Sequence, residues 1–101
     1  MPGDPEVLSG GALDALVRQI IADVLVVPHE RVQPEAALGA DLGAESIDYL
    51  DLLFRLEEAF GKPVQPSRWA DFLRRRLPGG DFGTSITVAI VREFAEQEAG
   101  G

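Results

Sequence analysis

The residues with most chemical potential in this chain are one serine and the carboxylates around it. In the stretch GADLGAESIDYLDLLFRLEEAFG, residues 39–61, Ser46 separates an acid-rich loop from a long apolar run. A serine so placed is an ordinary helix N-cap, whose side-chain oxygen accepts a backbone N–H bond. A hydroxyl at a helix start also lies where free N–H groups and the positive end of the helix dipole favour an attached or bound anion, such as a phosphodiester. Glu45 and Asp48 flank Ser46. They oppose binding of a free phosphate but suit docking of a basic enzyme that brings one, so the pattern favours covalent attachment over phosphate binding. The motif supplies neither a neighbouring base nor an evident oxyanion hole, which argues against Ser46 as a catalytic nucleophile. The lone histidine, His29, follows Pro28, and a Ser-His pair with Ser46 would need tertiary proximity. A histidine metal cluster is excluded by count. The chain has no cysteine, which excludes disulfides, thiolate metal sites and thiol nucleophiles.

Four helices are expected to position this serine. Leu13, Leu16, Val17, Ile20, Ile21, Val24 and Leu25 recur at i, i+3, i+4, i+7 spacing, which places them on one side of a first helix that Pro28 must end. Residues 28–45 carry two prolines, two glycines and scattered acids, the pattern of a long loop with a single turn around Glu35 to Leu38. A loop of that length in a small domain usually has a function. The second helix starts at or next to Ser46 and runs to Phe60, with Gly61 as its stop. Its apolar residues cover more than half of the helical wheel, which reads as a central helix packed on several sides. Asp48, Asp51, Arg55 and Glu58 share the remaining arc, and Glu57 falls within the apolar one. Pro66 opens a short third helix carrying Trp69, Phe72, Leu73 and Leu77 before Pro78 halts it. The last segment is rich in β-branched residues from Ile86 to Val91. With no credible partner strand, the spacing of Ile86, Ala89, Ile90 and Phe94 predicts a helix over 84–98, capped by Thr84 or Ser85. The fold expected is a small all-α four-helix bundle with one long loop between helices one and two.

Composition narrows the function classes. A chain of 101 residues with 46% hydrophobic residues suffices for one compact domain, read as residues 1–101 with 1–8 and 99–101 flexible. Seventeen acids against nine basic residues give a formal net charge of -8, which repels phosphate backbones and anionic lipid surfaces, so no nucleic-acid partner is expected. The longest apolar run is too short to span a bilayer, and the N-terminus lacks the basic and apolar regions of a signal peptide. A cytoplasmic monomer without membrane insertion is expected.

The string DLGAESIDYLDLLFRLEEAFG resembles the acyl carrier proteins, whose pattern runs acid, leucine, glycine, any residue, acid, serine, aliphatic residue, acid, followed by an acidic amphipathic helix. Glu45 departs from it, since that family usually has aspartate before the serine. The resemblance implies that Ser46 receives 4′-phosphopantetheine from coenzyme A, and that acyl groups ride as thioesters on the arm. It also implies a non-catalytic protein whose thiol comes from the prosthetic group. Asp41, Glu45, Asp48, Asp51 and Glu58 would then dock basic patches on the phosphopantetheinyl transferase and on the synthases and acyltransferases that use the arm, in fast, salt-sensitive encounters.

Leu50, Leu53, Phe54, Val64 and Ile86 are expected first as core, which members of that family can open to shelter an acyl chain. Burial contributes about 0.8 kcal/mol per methylene. The stretch FGKPVQPSRWADFLRRRLPGG resembles the specialised carriers of very long or hydroxylated chains in some bacterial lipid A pathways. By that likeness Trp69, Phe72 and Leu73 enlarge or roof the acyl cavity. The run Arg74, Arg75 and Arg76 more simply complements the negative helix end. The competing readings are a carrier of aminoacyl or polyketide groups and an unmodified interaction module that binds through the acidic helix.

Overall fold

The computed structural model describes residues 10–80 and 82–100 and has the expected all-α bundle architecture. Its elements are α1 (Gly10–Leu25), a one-turn 3-10 helix (His29–Arg31), α2 (Ser46–Phe60), α3 (Pro66–Arg76), the short α4 (Phe82–Ser85) and α5 (Val88–Gly100). Helix α1 packs against both α2 and α5, burying Leu13, Val17, Ile20 and Ile21. Its last residue precedes Val26, which takes a left-handed φ of 55°, an uncommon conformation for a β-branched residue. Gly61 closes α2 at φ 71°, and its N–H donates to the Glu57 carbonyl at 2.9 Å. Pro66 stands at the start of α3, where its missing N–H costs no helical bond.

The long loop is a structural part of the core. It buries Val32, Ala37, Leu38 and Leu42 and is sutured to the far end of the chain by backbone bonds. Leu38 N–H donates to the Ile86 carbonyl at 2.9 Å, Ala40 to Gly83 at 2.9 Å, Val88 to Ala36 at 3.0 Å and Ala89 to Pro34 at 2.9 Å. A Cβ on Gly39 would stand 2.8 Å from the Gly83 carbonyl oxygen, so only glycine lets the two strands of loop approach this closely. The loop carries a 3-10 turn at His29–Arg31 in addition to the turns that follow it.

Three expectations are corrected. The last helix does not run unbroken over 84–98. Ala37 and Thr87 form an isolated antiparallel bridge, so the β-branched segment pairs locally before Val88 begins α5, and the Thr87 hydroxyl, not Thr84 or Ser85, accepts the Ile90 N–H at 3.3 Å. Ala99 and Gly100 complete α5, while residues 1–8 and Gly101 lie outside the described residues. Helix α2 is also less central than its composition implied, burying only Leu52, Leu53 and Leu56. Its largest contact is with α1, which leaves the opposite stripe of Ile47, Leu50 and Phe54 in solvent.

Polar links hold α3 to α5. Arg76 donates to both Glu93 carboxylate oxygens at 2.9 and 3.0 Å, and these hydrogen bonds hold the Glu93 carboxyl below its usual range. Arg68 Nε donates to both oxygens of Glu98 at 3.0 and 2.9 Å, and Glu98 is only 4% exposed. Arg74 pairs with Asp71. The arginine run therefore does more than complement its helix end, because Arg76 reaches across to another helix.

Candidate functional site

The start of α2 is capped without using the serine. Glu45 occupies the N-cap position in an extended conformation, and its N–H donates to the Asp48 carboxylate at 2.8 Å. The Asp48 N–H donates back to the Glu45 carbonyl at 2.9 Å. Ser46 is thus the first helical residue and not the cap. It is exposed, and its hydroxyl has no hydrogen-bond partner among the described residues. The reciprocal Glu45–Asp48 pair fixes the helix entry and leaves this hydroxyl chemically uncommitted.

Ser46 stands on the lip of an apolar groove of about 370 Å³. Tyr49 and Leu50 of α2, Trp69 and Leu73 of α3, Phe82 of α4 and Ile86 after it form the walls, and Gly39 and Gly83 of the suture lie at one side. Of the cavity residues expected from sequence, Leu50, Trp69, Leu73 and Ile86 line this groove. Leu53, Val64 and Phe72 are core residues outside it. Phe54 is 59% exposed and lines a separate surface furrow with Ile47, Leu50 and Asp51. The expectation of Leu50 and Phe54 as core is therefore corrected: both lie on the face of α2 turned away from α1.

Tyr49 and Phe82 are lining residues that sequence reasoning missed. The Tyr49 ring stacks on Trp69 at 6.2 Å between centroids. Burial, and secondarily the charge of Asp48, push the Tyr49 phenol above its usual range, so it stays a neutral hydrogen-bond donor near pH 7. Phe82 follows a glycine-rich turn that gave no periodic signal.

The acids divide into committed and free groups. The Asp41 carboxylate accepts the Ala37 N–H at 2.8 Å, and Arg31 donates to the Asp41 carbonyl at 2.9 Å. Asp48 serves the cap. Glu45, Asp51 and Glu58 are exposed, and Asp51 and Glu58 carry no ion pair among the described residues. Glu57, whose place in the apolar arc was unexplained, accepts the Val64 N–H at 3.2 Å and ties the α2–α3 connection. His29 Nε2 lies 2.9 Å from Gln19 Oε1 and does not line the groove. Among the described residues no group of acids and histidine could hold a metal ion, and no helix is long and apolar enough to cross a membrane.

A phosphodiester-linked arm fits this geometry on the structure's own terms. It needs an accessible, uncommitted hydroxyl, a helix start that tolerates negative charge and apolar space within reach, and Ser46 has all three.

Comparison with known proteins agrees. The family model described as "Phosphopantetheine attachment site" matches residues 15–73. The acyl carrier protein of Thermosynechococcus vestitus is 43% identical over 58 residues, covering 57% of this chain and 70% of that one. The acyl carrier protein of Nitratidesulfovibrio vulgaris is 44% identical over 53 residues, 52% of this chain and 70% of its own. That of Rubrobacter xylanophilus is 44% identical over 48 residues, 48% and 59% of the two chains. With the matched segment running from α1 through Leu73, and Ser46 inside it, this chain belongs to the acyl carrier proteins, the phosphopantetheine-attachment family.

Proposed function

We propose that Ser46 is the residue that carries 4′-phosphopantetheine in this acyl carrier protein. The observation that carries the reading is the free, exposed Ser46 hydroxyl on the lip of the apolar groove. When attached, the group supplies a flexible arm ending in a thiol, which holds acyl groups as thioesters. The chain's own residues do the rest. Ser46 Oγ provides the oxygen of the phosphodiester, the N-terminus of α2 tolerates its charge, and the Glu45–Asp48 pair holds the hydroxyl at the surface. The groove walls offer the cargo apolar cover at about 0.8 kcal/mol per methylene.

Docking falls to the outer face of α2. Glu45, Asp51 and Glu58 attract basic patches on the phosphopantetheinyl transferase and on the synthases and acyltransferases, with Asp41 and Asp48 adding charge from committed positions. Ile47, Leu50 and Phe54 lie among them, so a partner steered by charge finds apolar contact on arrival. The protein itself is non-catalytic, which is supported by the engagement of His29 with Gln19 away from the groove. The reading extends to a single carrier domain, supported by one core shared from α1 to α5, which acts as a cytoplasmic monomer.

The test is intact-mass spectrometry of the wild type and Ser46→Ala after incubation with coenzyme A and a broad-specificity phosphopantetheinyl transferase. One phosphopantetheine added to the wild type and none to the variant is the expected result. If neither gains mass while a control carrier is fully converted, the chain is an unmodified module that binds through α2. Loading with aminoacyl or polyketide donors in preference to fatty acyl donors would redirect the cargo and leave the attachment site unchanged.

A further inference from the structure

One wall of the groove beside Ser46 is backed by aromatic rings. Trp69 lines the groove from α3. Behind it, Trp69 meets Phe94 edge-on with centroids 5.0 Å apart, and Phe72 lies 6.2 Å from Trp69 and 5.4 Å from Phe94. Phe72 and Phe94 are 7% and 0% exposed, and neither lines the groove. Tyr49 stacks on the indole from the α2 side, 24° from parallel. The indole is therefore a partition, with apolar space reachable from Ser46 on one side and a packed ring cluster on the other.

We propose that Trp69 is the end stop that limits the length of acyl chain this groove shelters, an inference that rests on Ser46 bearing the arm. At roughly 30 Å³ for a group the size of water or a methylene, a groove of 370 Å³ has room for about a dozen carbons. A longer chain must either leave its tail in water or displace rings packed at crystal-like density. Two further hollows among the described residues do not continue the space past the partition. One is the furrow of Ile47, Leu50, Asp51 and Phe54 on the outside of α2. The other is a polar notch that includes Lys62, Arg68 and Glu98. A carrier of very long chains needs space that continues inward, and Trp69 closes it. Leu50 and Phe82, each 44% exposed, flank the groove and are the apolar surface that a bound chain covers.

The test loads the full-length protein from acyl-coenzyme A donors of four, eight, twelve and sixteen carbons and measures Tm against the unacylated arm-bearing form. The wild type should gain several degrees up to about twelve carbons and then level off. Trp69→Ala and the milder Trp69→Leu, each compared with its own unacylated form, should keep gaining to sixteen. The internal comparison removes any general loss of stability from the substitution. The chain contains one tryptophan, so wild-type emission gives a readout that needs no variant: its shift should grow with chain length and stop changing where Tm does. A wild-type series still climbing at sixteen, or variants that level off with the wild type, would overturn the end stop. A failure of every donor to add mass at Ser46 would instead overturn the carrier reading on which it rests, whereas full loading with a flat Tm series overturns the end stop alone.

Discussion

Helices α5 and α2 have similar lengths and apolar contents but dispose of their apolar side chains differently. Helix α5 buries Val88, Ile90, Val91, Phe94 and Ala95, and even hides the carboxylate of Glu98. Helix α2 buries only Leu52, Leu53 and Leu56, while Ile47, Leu50 and Phe54 face solvent at 68%, 44% and 59% exposure. Burying a large apolar side chain is worth about 1.5–3 kcal/mol, so α5 contributes its hydrophobic surface to folding and α2 withholds part of its own. The withheld surface lies beside Ser46 and among unpaired acids. Buried and exposed apolar surface are thereby assigned to different helices of one small core.

Substitutions can test this division, from the largest effect to the smallest. Phe94→Ala empties the ring cluster at the centre of α5 and should cost about 3–5 kcal/mol in a urea titration; a loss near zero would mean that α5 is not the stabilising helix. Arg68→Met leaves the buried Glu98 carboxylate with Gln97 as its remaining hydrogen-bond donor. Because Arg68 is half exposed, the loss should fall below that of a fully buried pair, at about 2 kcal/mol. Phe54→Ala should change stability by less than about 0.5 kcal/mol, yet lower kcat/KM for arm installation by roughly threefold to tenfold. Unchanged kinetics would remove Phe54 from the docking face.

Much of this was legible in the sequence where local chemistry decides the outcome. Pro28 and Pro66 fixed the helix boundaries they adjoin because each restricts its own backbone, and Gly61 did so because it alone accepts without strain the left-handed φ of 71° that closes α2. Ser46 stood out by the acids and leucines around it. The start of α5 was not legible, since the β-branched run at Ile86–Val88 answers to Ala37 half the chain away. The exposure of Leu50 and Phe54 was not legible either, because a helical wheel counts apolar residues without knowing how many neighbours a helix will have. Glu57 looked misplaced until Val64 was seen to donate to it. Phe82 lacked any periodic context and emerged only as a groove wall.

The suture between the long loop and the segment before α5 is made of main-chain atoms, which are the same whatever side chain follows them. Exposed positions such as Glu35 and Ala40 can therefore drift over generations without unfastening it, whereas Gly39 has no room to change. Descendants that keep the suture can re-tune the wall around Phe82 while Ser46 and its helix stay as they are. The groove wall and the surroundings of the Ser46 hydroxyl are, in this architecture, separately heritable.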